Sequence, residues 1–461
     1  MIWYYLTLVL ASFFIFWILI RKRNVFHKVA EGSIALVNEL LGNSEADDDE
    51  LIKKIQASTN KLLKELLWMF TTIFLSIIAG AIPVIAYYLI SRQDYNGLQL
   101  GSFYAILAIS IGATLPFLIK NKNNTSVGYS ELSKLFHRMI LNNYNVAKKL
   151  FDFESKRISR KKVSIKSDFV IITGLARAGT TSLMTELSNM PEFVSLNYAN
   201  MPFLTSPNIW RKFYKPKTDK LRERSHKDGI MMGFNSTEAL EEYFFKMISK
   251  DRFIYKTHLK EYEVSTEEND QYLIYQRNIR KDNSKIYLAK NNNFLLRYHS
   301  LRSFNDDFFV FILFRDPLSH AASLMEKHQE YIQLQNEDPF VLEYMNWLGH
   351  HEFGLNQLPF QFNQSNSIIE GDRNTLDYWL KIWINYYSFA SKLEHPNTVF
   401  INYDDYCSKP NQVLAKILLK LGLSGNVSDR RPFINKRKSD AKYSENLLKE
   451  ANQIYIELKK N

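Results

Sequence analysis

The first 120 residues contain three stretches without a charged side chain: Ile2 to Ile20, Leu66 to Ile90 and Leu98 to Ile119. Each matches the roughly 20 apolar residues that a helix needs to cross a bilayer. Only Ser91 to Gly97 separates the last two, which predicts a hairpin of helices. Pro83 and Pro116 are tolerated in such helices. Ser130 to Phe153 then places Leu132, Leu135, Phe136, Met139, Ile140 and Leu150 on or near one helical face. From Asp168 onward the pattern changes. Short apolar runs rich in β-branched residues (Phe169–Thr173, Phe253–Tyr255, Lys285–Leu288, Phe308–Phe314, Thr398–Asn402) alternate with helical segments. Of these segments Thr375 to Leu393 is the strongest, and Ser439 to Lys460 forms a polar amphipathic tail. The fold class this predicts is α/β: an open parallel sheet flanked by helices, preceded by three transmembrane helices.

The division that follows is a transmembrane helix over 1–20, a cytoplasmic linker over 21–65, a transmembrane hairpin over 66–119, an amphipathic and basic connector over 120–166, and an α/β domain over 167–461. The first apolar run is followed at once by Arg21-Lys22-Arg23. A secretory signal has its positive charge before the apolar run, so this segment is expected to stay as an anchor. Orientation follows from the cations flanking the spans. Arg21, Lys22, Arg23 and Lys28, then Lys61 and Lys64, then Lys120 and Lys122 share one side if the N-terminus lies outside; the hairpin tip carries only Arg92. The α/β domain is then cytoplasmic.

Composition narrows the picture. The 461 residues carry a formal net charge of +11. The basic clusters flank apolar segments, which suits a lipid bilayer and an anionic ligand as partners rather than nucleic acid. Cys407 is the one cysteine, so no intrachain disulfide forms, in keeping with a reducing compartment.

The chemistry starts at Phe169-Val-Ile-Ile-Thr-Gly174-Leu-Ala-Arg177-Ala-Gly179-Thr180-Thr181-Ser182-Leu183. A strand, a glycine-bracketed turn and a helix start make an anion site from unpaired N–H groups and the positive end of the helix dipole. Thr180, Thr181 and Ser182 add hydroxyl donors, and Arg177 a forked cation suited to phosphate. The spacing of Gly174 and Gly179 is that of a P-loop, G-x-x-x-x-G-K-[ST], but Thr180 stands where the lysine belongs. The group that reaches the β- and γ-phosphates is missing, which speaks against ordinary ATP or GTP hydrolysis.

A second apolar strand, Phe308 to Phe314, runs into Arg315-Asp316-Pro317, with Ser323 eight residues after the arginine. A third stretch reads Tyr287-Leu-Ala-Lys290-Asn291-Asn-Asn293, and a looser one Thr398-Val-Phe-Ile-Asn-Tyr403-Asp404-Asp405, ending at Pro410. Together, and in this order from about Ser167 to Pro410, they resemble the sulfotransferase superfamily in its bacterial and membrane-associated form. The resemblance implies a P-loop-like sheet and 3′-phosphoadenosine 5′-phosphosulfate as co-substrate. By it, the loop Gly174, Arg177, Ala178, Gly179, Thr180, Thr181 and Ser182 holds the 5′-phosphosulfate. Arg315 and Ser323 hold the 3′-phosphate, and Lys290 stabilises the sulfuryl group with help from Arg177.

Sulfuryl transfer also needs a base for the acceptor's proton. Asn235-Ser-Thr-Glu238-Ala-Leu-Glu241-Glu242 puts three carboxylates at helical spacing, where mutual repulsion raises a pKa. Family members use a glutamate in this interval, and Glu238 fits best, with Glu242 beside it. Asn235-x-x-Glu238 is equally a capping-box pattern. The rival is His258 in Lys256-Thr257-His258-Leu259, which resembles the base segment of cytosolic sulfotransferases. No metal is expected: His350-His351-Glu352 has the wrong spacing for two ligands on one helix face, and its stretch from Trp347 fits an acceptor pocket or a packed loop equally. The acceptor hydroxyl or amine is left open among lipid, lipid-linked saccharide, glycan and small molecule. The rival functions are a membrane P-loop kinase or NTPase and a non-catalytic nucleotide-binding scaffold.

Overall fold

The computed structural model describes residues 2–41, 48–91, 102–118, 131–214, 222–223, 231–232, 239–363, 368–424 and 441–460. They form two compact units, Met1–Asn145 and Val146–Asn461.

In the first unit the helices Ile2–Arg21, Asp48–Ser91 and Phe103–Leu118 pack together. Two glycines set their spacing. A Cβ on Gly80 would lie 2.4 Å from Ile15 Cγ1 and 2.9 Å from the Ala11 carbonyl oxygen; one on Gly112 would lie 2.0 Å from Ser12 Oγ and 2.1 Å from the Val9 oxygen. Both positions therefore let a backbone press against the first helix, as small residues do between helices in lipid. Among the described residues two helices are long and apolar enough to cross a membrane, Trp3–Arg21 and Ile52–Ser91, and only 17% of the most apolar window of each is buried. A soluble core helix would hide those side chains; here Leu67, Trp68, Phe70, Phe74, Ile82 and Leu89 point outward. The third predicted span is described only in part. Its described helix, Phe103–Leu118, has 16 residues, and residues 92–101 and 119–130 lie outside the described part. The linker expected over 21–65 is largely helix instead: Arg23–Leu41, then the first third of the 44-residue helix that continues into the second span. Lys, Glu and Gln there are good helix formers, and nothing in 51–65 breaks the helix. The amphipathic segment of the connector divides at Asn142-Asn143 into Glu131–Leu141 and Tyr144–Ser159, and the second helix joins the second unit.

That unit is built on a five-stranded sheet. Among the described residues its strands in chain order are β1 (Phe169–Thr173), β2 (Phe193–Val194), β3 (Arg222–Glu223), β4 (Met231–Met232), β5 (Leu259–Lys260), β6 (Ile286–Lys290), β7 (Phe309–Phe314), β8 (Phe360–Gln361) and β9 (Thr398–Asn402). The main sheet runs β2-β6-β1-β7-β9, and all its pairings are parallel. A parallel sheet needs cover on both faces. On one face Leu183, Met184 and Leu187 from the helix Thr180–Ser188, with Leu414, Ile417 and Leu418, pack on Val170, Ile172, Leu288, Phe311 and Leu313. The helix Leu376–Ala390 brings four wholly buried aromatics, Trp379, Trp383, Tyr386 and Tyr387. Two of them also bond to the strands: Tyr387 Oη donates to the Leu313 oxygen at 2.7 Å, and Tyr386 Oη shares a 3.3 Å contact with Thr173 Oγ1.

Four of the five strand runs read from the sequence lie in this sheet. Phe253–Tyr255 does not: it is a turn carrying a single bridge, Ile254 to Leu259. The adjacent β5 pairs with β8 as a separate two-stranded ladder. The β2 strand was not anticipated, because two residues are too few to show a period.

Candidate active site

The sheet's connectivity decides where chemistry can occur. The chain leaves β1 for β2 and β6 on one side, then crosses to β7 and β9 on the other, so the strand order reverses at β1. Open α/β sheets bind ligands at such a switch point, beyond the carboxyl ends of the strands. The register aligns those ends: Ile172 lies beside Lys290, and Thr173 beside Ile312. The turn after β1, Lys290 at the end of β6, Arg315 just after β7 and Tyr403 just after β9 therefore share one edge.

The turn itself is tightly constrained. Gly174 has φ 145°, and a Cβ there would meet the Leu313 oxygen at 2.6 Å. Gly179 has φ 94°, and a Cβ would run into the Tyr403 ring at 2.1 Å. Between them Arg177 takes φ 71°, a conformation that costs a non-glycine residue free energy. Two neighbours hold it there. Arg315 donates from Nη1 to the Arg177 carbonyl at 3.2 Å, and His320 Nε2 donates to the Ala176 carbonyl at 2.8 Å. Burial, then the nearby Arg315, pushes the His320 pKa down to about 3, so the ring is neutral and serves as a donor at physiological pH.

The sequence motifs converge on this turn. Arg177 Nε donates to Ser323 Oγ at 3.3 Å, joining the first anion loop to the second. Lys290 Nζ donates to Thr181 Oγ1 at 2.8 Å, which brings the β6 lysine to the first turn of the helix Thr180–Ser188. Arg315 is buried at 5% exposure and sits 5.8 Å above the Tyr403 ring. Its Nη2 donates to Ser319 Oγ at 3.3 Å, while its buried Nε has no hydrogen-bond partner. Burial lowers the Arg315 pKa and Asp404 opposes that; a guanidinium starting from so high a value stays charged. A buried, partly unsatisfied cation beside a glycine turn and a helix N-terminus is a site for an anion. Ser323 is buried in the helix Pro317–Glu337, whose first turn is capped by Asp316 Oδ1 accepting from Ser319 N at 2.8 Å.

The expected bases fare differently. Glu238 lies outside the described residues. The helix expected to carry three carboxylates on one face starts only at Glu242, with Glu241 as its N-cap. Both described carboxylates are tied into the core. Glu241 accepts from Tyr272 Oη at 2.6 Å, Tyr287 Oη at 2.8 Å and Asn291 Nδ2 at 3.0 Å, and burial raises its pKa. Glu242 is gripped by both terminal nitrogens of Arg297, at 2.7 and 2.6 Å. His258 follows no strand of the main sheet. Its ring stacks on Tyr255 at 4.7 Å, its Nδ1 lies 3.0 Å from Thr257 Oγ1, and burial and Lys260 lower its pKa. Among the described residues no cluster of three or more His, Cys, Asp or Glu could hold a metal.

The stretch from Trp347, read as acceptor pocket or packed loop, meets the end of β6 through a contact that the sequence does not foretell. Asn292, two residues beyond Lys290, donates from Nδ2 to Glu352 Oε1 at 2.7 Å, and His350 Nδ1 lies 3.2 Å from that same oxygen. Nothing in the spacing of His350 and Glu352 announces that a loop some 60 positions away in the chain will meet the end of β6.

No protein-family model matches the chain, and no curated protein does. Solved structures do. The chain is similar to the sulfotransferase STF1 of Mycobacterium tuberculosis, at 15% identity and a TM-score of 0.38, over 81% of this chain and 91% of that one. STF9 of Mycobacterium avium shares 12% identity and a TM-score of 0.38, over 72% and 78% of the two chains. The sulfotransferase domain from the curacin biosynthetic pathway shares 14% identity and a TM-score of 0.29, over 57% and 76%. These three structures are of sulfotransferases.

Proposed function

We propose that the protein is a membrane-anchored sulfotransferase that moves the sulfuryl group of 3′-phosphoadenosine 5′-phosphosulfate to a hydroxyl or amine acceptor. One observation carries the reading: the two anion loops, which follow β1 and β7, meet at the Arg177–Ser323 hydrogen bond, with Arg315 bonded to the Arg177 carbonyl. A nucleotide with phosphates at both its 5′ and 3′ ends needs two such loops side by side. The N–H groups and hydroxyls of Gly179 to Ser182, with Arg177, hold the 5′ end. Arg315 and Ser323 hold the 3′-phosphate, and the unsatisfied Nε of Arg315 is a donor suited to it. Lys290, already at Thr181, neutralises charge on the sulfuryl oxygens and the leaving phosphate.

Calorimetric titration of the full-length protein in detergent tests this. Adenosine 3′,5′-bisphosphate should bind and ATP should not; the reverse would favour a P-loop kinase. Arg315→Ala should weaken bisphosphate binding by about 1.5–3 kcal/mol, the worth of a charge-assisted hydrogen bond. Unchanged affinity in that variant would remove the 3′-phosphate site from Arg315.

The membrane reading has its own test. The cation pattern places the N-terminus outside and the sulfotransferase domain in the cytoplasm, where the acceptor, a lipid, lipid-linked saccharide or glycan, meets it at the bilayer. A cysteine introduced at Asn96 should react with a membrane-impermeant thiol reagent in intact cells, and one at Asn124 should not. Background is low, because Cys407 is buried and burial pushes its thiol up to about 11. Labelling at Asn124 and not at Asn96 would reverse the orientation.

A further inference from the structure

A carboxylate-held histidine, His350, is tied through Glu352 to Asn292, just past the end of β6. Glu352 is buried, with its side chain 7% exposed, whereas His350 keeps 18%. Burial would raise the Glu352 carboxyl, but His350 and Asn292 outweigh it and hold the pKa near 2, so the group is ionised. In the neutral ring, a carboxylate that accepts from Nδ1–H selects the tautomer whose lone pair is on Nε2. Nε2 makes no hydrogen bond to any described residue. The pair is fastened to the reactive edge at two points. Asn292 donates to Glu352, and Asn293 Nδ2 donates to the Gly349 carbonyl at 2.9 Å. Asn292 follows Lys290 by two residues, within about 7 Å of chain. Its Oδ1 is a buried acceptor without a partner, a place for a hydrogen-bond donor on a bound acceptor molecule.

We propose that His350, oriented by Glu352, is the catalytic base that takes the acceptor's proton. This rests on the sulfotransferase reading and assigns the role to a residue other than Glu238 or His258. In the step, the acceptor O–H proton passes to His350 Nε2 and the acceptor oxygen bonds to sulfur. The bond from sulfur to the bridging phosphate oxygen breaks, and its electron pair leaves with adenosine 3′,5′-bisphosphate. Glu352 balances the imidazolium that forms and is a positioning residue, as is Asn292.

The test uses the full-length protein in octyl glucoside micelles, with donor labelled in the sulfuryl group. Water and the detergent's sugar hydroxyls are the acceptors, and labelled sulfate plus sulfated glucoside is counted. His350→Gln should lower the rate about 10²- to 10⁴-fold. Its affinity for adenosine 3′,5′-bisphosphate should stay at the wild-type value, which shows that the variant folds. Added imidazole should restore part of the rate in His350→Ala and none in Lys290→Met. Glu352→Gln should lower the turnover number and leave donor affinity unchanged. A wild-type rate in His350→Gln overturns the proposal, as does a collapse confined to Glu238→Gln or His258→Asn; in each case bisphosphate binding keeps the sulfotransferase reading alive. A wild-type protein that binds the bisphosphate but releases no label also overturns it. Loss of bisphosphate binding by the wild type would sink both readings together.

Discussion

Lys290→Met should cut the proposed sulfuryl transfer by about 10²- to 10³-fold, roughly 2.7–4 kcal/mol of transition-state stabilisation, the cost of deleting one preorganised donor. The argument starts from placement. Lys290 is the last residue of β6, buried at 4% exposure, and its ammonium reaches Thr181 at the mouth of the anion loop. Charge grows on the bridging oxygen as the sulfur–oxygen bond breaks, and a cation held at that point in a site shielded from water counts for more in the transition state than in the ground state. Methionine keeps the length and apolar stem of lysine, so the core below β6 remains filled. The product nucleotide has no sulfuryl group, and its affinity should change far less than the rate. Rate and affinity must be measured on one preparation. Near-wild-type turnover, or equal losses in rate and in bisphosphate binding, would move Lys290 from the reaction to the donor pocket.

The largest expected effect on stability is at Arg297→Leu, about 3–5 kcal/mol. Arg297 has a fully buried side chain, Glu242 is 3% exposed, and they pair at 2.6 Å. Glu242 holds the arginine's pKa above its usual value against the opposing effect of burial. The guanidinium also lies 4.0 Å from the centre of the Phe245 ring and within reach of Phe253 and Tyr262. Leucine replaces much of that contact but strands the carboxylate in the core, and an unpaired buried charge is what costs most. The double variant Arg297→Leu with Glu242→Leu should therefore recover a large part of the loss. Chemical denaturation of wild type, both single variants and the double variant decides it. A double variant no better than Arg297→Leu alone would mean that packing, not the ion pair, sets the cost.

Local patterns in the chain determined a good deal by themselves. Long uncharged runs are legible because length and composition are local properties, and among the described residues two helices are long and apolar enough to cross a membrane. The β1, β6, β7 and β9 strands are legible because a parallel strand covered on both faces must be apolar throughout, and β1 is buried at every position. The anion turn is legible because its two glycines sit where a Cβ would strike Leu313 or Tyr403. Tertiary structure decided what local pattern cannot encode. Glu241 and Glu242 read as a reactive cluster, yet their partners Tyr272, Tyr287 and Arg297 lie 31, 46 and 55 positions away, and those partners turn them into core supports. Phe253–Tyr255 has the composition of a strand but no neighbour in the main sheet, and strand identity depends on pairing as well as propensity. His350 and Glu352 are noticed in the sequence but not as a pair, because a histidine's role depends on what holds one nitrogen and what meets the other. Here that depends on Asn292, 60 positions earlier, arriving at the same edge of the sheet.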